Sequence, residues 1–203
     1  MISTYQLKSR FQALLRPLAG LLFRCGVTAN QVTVTSCAIS LALGGALIWQ
    51  NNRKYLFLLI SLWCLLRMAA NALDGMLARE YGQASRLGAV LNEVGDMLSD
   101  IALYTPFAFV AGVNAGLVIA IVVLAVCGEI IAWLAASRCG ERANHGPMGK
   151  SDRALVFGVV ALLLGCSVPV EPYSNIVWWC VAALLCVTLY NRVRFIATTQ
   201  RAA

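Results

Sequence analysis

Charged residues are scarce in this chain. They make up 12% of its 203 residues, and hydrophobic residues make up 60%, whereas soluble domains carry about 25% charged residues. So few charges exclude an ordinary water-soluble domain. No Pro-, Ser- or Gly-rich linker divides the chain, which predicts a single all-α integral membrane domain over residues 1–203.

Residues that form disulfides or zinc sites in recognisable patterns are also missing. The eight cysteines include no CxxC pair, and the chain has a single histidine. Most of the cysteines lie within apolar stretches, where cysteine behaves as a small hydrophobic residue. The sequence therefore predicts neither a disulfide framework nor a zinc site.

The net charge of +7 does not come from a basic cluster. The 16 Lys and Arg residues are spread over the loops, and only Arg53 and Lys54 lie clearly on the far side of the predicted spans. The positive-inside rule then places both termini and the loops 79–86 and 138–153 in the cytoplasm. Orientation and attraction to anionic membrane lipid explain this charge better than nucleic-acid binding does.

Six apolar stretches approach the length of about 20 residues that a transmembrane helix needs. They cover residues 29–49, 55–78, 87–111, 114–136, 154–170 and 175–195. Residues 27–203 are therefore expected to form a bundle of six transmembrane helices.

The first 26 residues predict an amphipathic helix that lies on the cytoplasmic surface of the membrane. Apolar residues recur there at steps of three and four beside basic residues, a pattern typical of interfacial helices. The pattern consists of Leu7, Phe11, Leu14, Leu18 and Leu21 beside Lys8, Arg10 and Arg16. Pro17 within this segment can kink or divide the helix.

Polar residues are concentrated in the second and third predicted spans. Asn71 and Asp74 lie near the end of one helix, and Asn92, Asp96 and Asp100 form an i, i+4 row on the next. Ionisable groups inside a membrane are costly and usually mark function. Because carboxylate and amide oxygens suit a hard cation such as Mg²⁺, the sequence predicts a divalent-metal site where the two helices converge.

Two glycines beside these residues have two explanations. Gly75 and Gly88 can let a phosphate or nucleotide approach the backbone. They can also serve helix packing, for which small residues are common in membranes. Next to three aspartates within the spans, we favour the first explanation.

The spacing of these residues resembles the signature of the CDP-alcohol phosphotransferase family. That signature is D-x-x-D-G-x-x-A-R, eight residues, then G-x-x-x-D-x-x-x-D, and every interval matches. The matching residues are Asn71, Asp74, Gly75, Ala78, Arg79, Gly88, Asn92 and Asp96. The stretch 28–33, TANQVT, is similar to the opening of the family's first span, and residues 149–151 resemble a G-K-x-K-T motif more faintly. The chain looks closest to an enterobacterial branch of the family.

The resemblance implies a reaction, a cofactor and a location. The donor is expected to be a CDP-linked lipid such as CDP-diacylglycerol, the acceptor an alcohol, and the leaving group CMP, in phospholipid biosynthesis. One or two Mg²⁺ or Mn²⁺ ions would bridge the diphosphate oxygens. The family also implies a homodimer in the bacterial inner membrane.

The same resemblance implies a role for each motif residue. Asp74 is expected to bind metal, Asp96 to bind metal and act as general base, and Arg79 to meet phosphate. Arg79 can alternatively be a simple interfacial anchor. The small residues of the motif are expected to line the donor site: Gly75, Ala78 and Gly88.

Two positions depart from the family pattern, because Asn71 and Asn92 replace aspartates. An amide oxygen still binds a hard cation, but the site loses two negative charges and should hold metal more weakly without donor. Glu93 and Asp100 can replace the missing carboxylates as ligands. Alternatively, Glu93 faces outward or is paired, and Asp100 orients a ligand or pairs with Arg67.

Other polar and aromatic residues have less specific patterns. Lys150 and Arg153 in the next cytoplasmic loop can face an acceptor that bears phosphate or carboxylate, or can simply set the topology. Glu129 in the fourth span needs a partner, a proton or a polar cavity, and we expect a structural role for it. The tryptophans of the spans are expected to face lipid or the interface: Trp63, Trp133, Trp178 and Trp179.

Two other classes of function remain. The two asparagines also fit a catalytically weakened family member that binds nucleotide or lipid without turnover. A small transporter whose acids relay ions is a weaker alternative, because the sequence shows no inverted repeat and no broken helices.

Overall fold

The computed structural model describes residues 4–50 and 53–202, except for the side chains of residues 4–9, 171, 172, 174 and 200–202. Within these ranges all regular structure is helical, as predicted. The helices are α1 (Thr4–Arg24), α2 (Ala29–Trp49), α3 (Lys54–Glu80), α4 (Arg86–Tyr104), α5 (Ala115–Cys139), α6 (Lys150–Gly165) and α7 (Glu171–Ala202), with a 3-10 helix at Thr105–Phe109 after α4.

The first helix, α1, is continuous through Pro17. One face packs on α3, where Ala19 is buried with Leu73 and Met76, and Arg16 bonds Glu80 at 3.0 Å. The opposite apolar face is exposed, including Leu14 at 76%. The side chains of two residues of the predicted stripe, Leu7 and Lys8, lie outside the described residues. Location at the membrane surface stays a prediction.

Side-chain caps start α2 and α4. The hydroxyl of Thr28 accepts a hydrogen bond from the Gln31 amide at 3.2 Å, and the Gln31 side chain accepts from the Thr28 amide at 2.9 Å. Ser85 caps α4 in the same way by accepting from the Gly88 amide. Since a cap satisfies amides that a helix leaves unbonded, the TANQVT stretch has a structural role at the start of α2.

Within the part of the chain that the structure describes, four helices are long and apolar enough to cross a membrane: α2, α3, α5 and residues 175–199 of α7. The α4 and α6 helices coincide with the third and fifth predicted stretches, but α4 carries the acidic residues of the motif and α6 has only 16 residues. Four candidate spans are thus found where six were expected, and the other two stay a prediction.

Three of the predicted stretches differ from the helices by several residues, and the one expected over 175–195 extends over Glu171–Ala202. The helix expected over 87–111 ends at Tyr104, because Pro106 has no amide hydrogen for a continuing helix. The helix expected over 154–170 instead begins at Lys150 and ends at Gly165. Lys150 and Arg153, which were placed in a loop, therefore lie in the first turn of α6.

The larger apolar core is built from residues of α2 to α7. Helix α3 packs against α6, α2 against α4, and α5 against α7. Tyr104 stacks on Phe157 at 3.9 Å between ring centroids, and Trp178 packs against Phe157 at 4.8 Å. The expectation for Trp178 was wrong, because this residue is fully buried. A hydropathy pattern along one helix does not predict which other helices will cover a given side chain.

Candidate active site

The two halves of the motif meet where α3 and α4 lie side by side. The Asn71 amide nitrogen of α3 donates to Asp96 Oδ1 of α4 at 3.0 Å. Asp74, one turn further along α3, accepts a 2.8 Å hydrogen bond from the hydroxyl of Thr33 on α2. Both carboxylates are buried. The convergence that the spacing predicts is therefore present, and α2 contributes to it.

Asp96 has one oxygen that no hydrogen bond reaches. Its Oδ1 accepts from Asn71 and lies 3.4 Å from the Arg67 guanidinium. Its buried Oδ2 accepts no hydrogen bond and forms an ion pair with the Lys150 ammonium. A carboxylate oxygen with spare acceptor capacity, facing a cation, is suited to a metal or to a proton-transfer step.

The donor set fits a hard divalent cation only if the asparagines take part. Among the described residues, no three His, Cys, Asp or Glu side chains are grouped closely enough to hold a metal. Asp74 and Asp96 supply two carboxylates, and Asn71 and the half-buried Asn92 can supply amide oxygens. Mg²⁺ commonly uses one or two carboxylates and completes its shell with substrate phosphates and water, so these four residues fit such an ion.

Glu93 and Asp100 are engaged by arginines. Glu93 is buried and pairs with Arg142. The two oxygens of Asp100 lie 2.5 Å from Arg67 and 2.9 Å from Arg153. The sequence left several roles open for these residues, including metal binding and ion pairing. In the structure both residues form ion pairs.

Glu129 lies at the centre of a cluster of buried charges. It is 3% exposed, and its oxygens lie 2.6 Å from Arg142, 2.9 Å from Arg153 and 3.5 Å from Arg192. The expected partner for this glutamate is thus found. Arg142 lies in the loop before α6, where burial opposes its charge. The carboxylates of Glu93 and Glu129 outweigh burial and raise its pKa above the usual value.

Sequence reasoning missed the structural importance of two arginines and a threonine. Arg142 and Arg192 were counted only as topology-setting charges, and Thr33 only as the last residue of the TANQVT stretch. Glu129 was the available signal, because a glutamate within a span predicts a buried basic partner. Which arginine fills that place depends on the packing of α5 and α7, where Arg192 also donates to the Gly128 carbonyl at 2.6 Å.

The spaces beside the two motif glycines are occupied by polar side chains. A methyl group on Gly75 would lie 2.9 Å from an Arg79 nitrogen, and one on Gly88 would lie 2.6 Å from the Asn30 side-chain oxygen. Arg79 is exposed and Ala78 half-buried on the same turn. Both glycines therefore lie beside polar protein side chains, and both explanations for them stay open.

Comparison with known proteins follows from this geometry. The family model for CDP-alcohol phosphatidyltransferases matches residues 26–190, which include every motif residue. The chain belongs to the CDP-alcohol phosphatidyltransferase family. Over 193 residues it is 45% identical to the inner membrane protein YnbA of Escherichia coli K12, covering 95% of this chain and 96% of that protein. This match is consistent with the enterobacterial branch and with a membrane protein.

More distant relatives of this phosphatidyltransferase have assigned activities. The phosphatidylinositol phosphate synthase of Mycolicibacterium smegmatis is 28% identical over 96% of this chain and 89% of that enzyme. The fold is similar to that of the Mycobacterium tuberculosis enzyme with CDP-DAG bound, with a TM-score of 0.71, 23% identity and coverage of 89% and 92%. A second structure of that enzyme, with manganese and citrate, gives a TM-score of 0.70 at 22% identity and coverage of 90% and 88%.

Proposed function

We propose that this protein transfers a phosphatidyl group from a CDP-linked lipid such as CDP-diacylglycerol to an alcohol and releases CMP, in phospholipid biosynthesis. The observation that carries the proposal is the meeting of the motif residues on α3 and α4, with Asn71 bonded to Asp96 and Asp74 close by. The family match and the similarity to phosphatidylinositol phosphate synthases support the same reaction.

In the proposed reaction, the acceptor hydroxyl oxygen forms a bond to the β-phosphorus of the donor while the bond to CMP breaks. Asp96 is the general base, and its Oδ2 takes the hydroxyl proton after Lys150 moves aside. Arg79 donates to donor phosphate from the exposed end of α3. A divalent ion, Mg²⁺ or Mn²⁺, would be held by Asn71, Asp74, Asn92 and Asp96 and would neutralise charge on the departing CMP.

The proposed topology has six spans, with α4 and α6 crossing the membrane beside the four helices of sufficient length. Both termini and the loops beside the motif then face the cytoplasm, where CDP-lipids and CMP are handled. The basic residues of these loops support that orientation. A homodimer is proposed on family resemblance alone.

The decisive experiment is an assay of the purified protein with CDP-diacylglycerol, Mg²⁺ or Mn²⁺, and pools of alcohols. We expect CMP release that needs both metal and one acceptor, and that stops when EDTA removes the metal. CMP release that EDTA leaves unchanged would contradict the proposed role of the metal.

One observation favours a second candidate, a family member that binds donor without turnover. The described residues lack a metal-binding group of three carboxylates, His or Cys, because Asn71 and Asn92 replace aspartates. Saturable binding of CDP-diacylglycerol, without CMP release from any acceptor pool, would favour this candidate.

A further inference from the structure

Three arginines and three carboxylates form a compact charged layer next to the motif. We call this set the arginine layer; its members are Arg142, Arg153, Arg192, Glu93, Asp100 and Glu129. They come from α4, α5, the following loop, α6 and α7. Formally, the three positive and three negative charges cancel. They still cancel when the neighbouring Arg67 and Lys150 are counted together with Asp74 and Asp96 of the motif, which gives five charges of each sign.

The arginine layer lies against the residue proposed to receive the acceptor's proton. Arg153 bonds Asp100, which follows Asp96 by one turn of α4. Lys150, which precedes Arg153 by one turn of α6, pairs with Asp96 itself. An alcohol whose hydroxyl reaches Asp96 would therefore have the rest of its structure close to the arginine layer.

Glu129 already uses the arginines that an anionic acceptor would need. Its oxygens contact all three guanidinium groups, and both Glu129 and Arg153 are almost completely buried, at 3% and 1% exposure. A phosphate or carboxylate entering here would either add a negative charge to this balanced cluster or displace Glu129 from its arginines. In both cases a buried charge lacks a partner, which is strongly unfavourable.

The arginine layer still offers hydrogen-bond donors. The Nε and Nη1 groups of Arg153 are buried and have no hydrogen-bond partner. Such N–H groups are costly when unbonded, and hydroxyl oxygens can accept from them without adding charge. Free donors in a neutralised environment suit a polyol better than an anion.

From this arrangement we propose that the acceptor is an uncharged, hydroxyl-bearing alcohol, and that Glu129 excludes acceptors that carry phosphate or carboxylate. This inference rests on the proposed function and refines its acceptor class. It also goes against the expectation that Lys150 and Arg153 would face an anionic acceptor.

The first test compares matched acceptors on the wild-type protein. Glycerol and inositol are compared with glycerol 3-phosphate and inositol phosphate in the CMP-release assay, and their binding to the donor-loaded protein is measured by calorimetry. We expect kcat/KM, or affinity where turnover is absent, to be at least about tenfold higher for an uncharged member of a pair. The inference is overturned if the phosphorylated member of a pair shows an equal or higher kcat/KM or affinity.

The second test removes the proposed excluding charge. In Glu129→Gln, the affinity for glycerol 3-phosphate should rise by about 10- to 100-fold, since a charge-assisted bond to a freed arginine becomes available. Glu141→Gln removes the same charge from an exposed loop position and should leave this affinity unchanged. An equal gain in both variants, or none in Glu129→Gln, contradicts the role of Glu129.

The two proposals fail in different ways. Should Glu129→Gln not remain monodisperse, the wild-type comparison decides the acceptor class alone. If the wild-type protein does not bind CDP-diacylglycerol, the proposed function fails, whereas tight binding of phosphorylated alcohols to a protein that does bind donor overturns only the acceptor inference.

Discussion

At the scale of residues, the motif has kept two carboxylates with different surroundings. Asp74 is held by a threonine hydroxyl, while Asp96 is placed among Asn71, Arg67 and Lys150. Hydrogen-bond donors and cations around a carboxylate fix its orientation and favour its charged form. Asp96 is therefore better positioned than a solvent-exposed carboxylate to bind a metal or accept a proton. These surroundings make the two residues separately testable.

We predict that Asp74→Asn and Asp96→Asn each lower kcat by at least about 100-fold, the usual contribution of a general base or a charged ligand. Asparagine keeps the shape of each side chain, so the protein should stay monodisperse in size-exclusion chromatography. Glu141→Gln is the control with the same loss of one charge. Near-normal turnover in either aspartate variant, at saturating donor, would remove that residue from the proposed machinery.

A second prediction concerns Asn71 and Asn92. If they bind metal through amide oxygens, Mg²⁺ should bind the protein weakly alone and more tightly with a CDP-lipid, whose diphosphate adds negative oxygens. By reciprocity, the metal should raise donor affinity by the same factor. Restoring both aspartates with Asn71→Asp and Asn92→Asp should tighten donor-free binding and reduce this coupling.

Calorimetric titration with Mg²⁺ and Mn²⁺, with and without donor, measures both quantities. In the variant, the Asn71 donor to Asp96 becomes a second carboxylate 3.0 Å away, so the pair repels unless a cation lies between them. Equal donor-free affinities in the two proteins would mean that these positions do not touch metal.

At the scale of elements, α2 and α4 pack closely against each other. These two helices carry Thr33 and Asp96, so their packing sets the relative position of these residues. A methyl group on Gly44 of α2 would lie 2.1 Å from the Ala102 carbonyl oxygen of α4, whereas one on the neighbouring Gly45 would meet nothing within 4 Å. A backbone carbonyl cannot rotate away as a side chain can. Position 44 therefore requires glycine and position 45 does not.

Gly44→Ala should destabilise the protein by about 1–3 kcal/mol, the usual cost of overpacking. Gly45→Ala should be neutral or stabilise α2 by up to about 1 kcal/mol, since alanine favours helix. Thermal unfolding of the two variants in the same detergent makes the comparison. Equal midpoints would show that α2 and α4 are not packed this closely.

At the scale of the whole molecule, the number of spans can be tested with the protein's own cysteines. Cys25 follows α1, Cys139 ends α5 and Cys166 follows α6, and none is fully buried. With six spans, Cys25 and Cys139 face the cytoplasm and Cys166 the opposite side. With only the four longer helices crossing, Cys139 and Cys166 would lie on the same side.

We expect a membrane-impermeant maleimide to label single-cysteine variants from outside the inner membrane at Cys166 only, and at Cys25 and Cys139 after permeabilisation. Detergent-solubilised protein, in which all three should react, is the control for intrinsic reactivity. Labelling of Cys139 and Cys166 from the same side would reduce the bundle to four spans.

The sequence by itself determined the all-helical membrane character, the family and the position of the motif. These follow from composition, hydropathy and fixed spacing along single helices, which are local properties. The convergence of the two faces that carry Asn71 and Asp96 could be predicted because a short loop joins their helices and the spacing of the polar residues repeats with the helical turn.

Only the tertiary structure decided the partners of the charged residues. The position of Glu129 within a span predicts a basic partner. The partners Arg142, Arg153 and Arg192 come from a loop and two other helices, so their contact with Glu129 depends on how α5, α6 and α7 pack. Likewise, the sequence predicts a lipid-facing Trp178, whereas the packing of α6 against α7 buries it beside Phe157. Contacts between residues distant in the chain carry no periodic signal, so the arginine layer could be found only from the packed bundle.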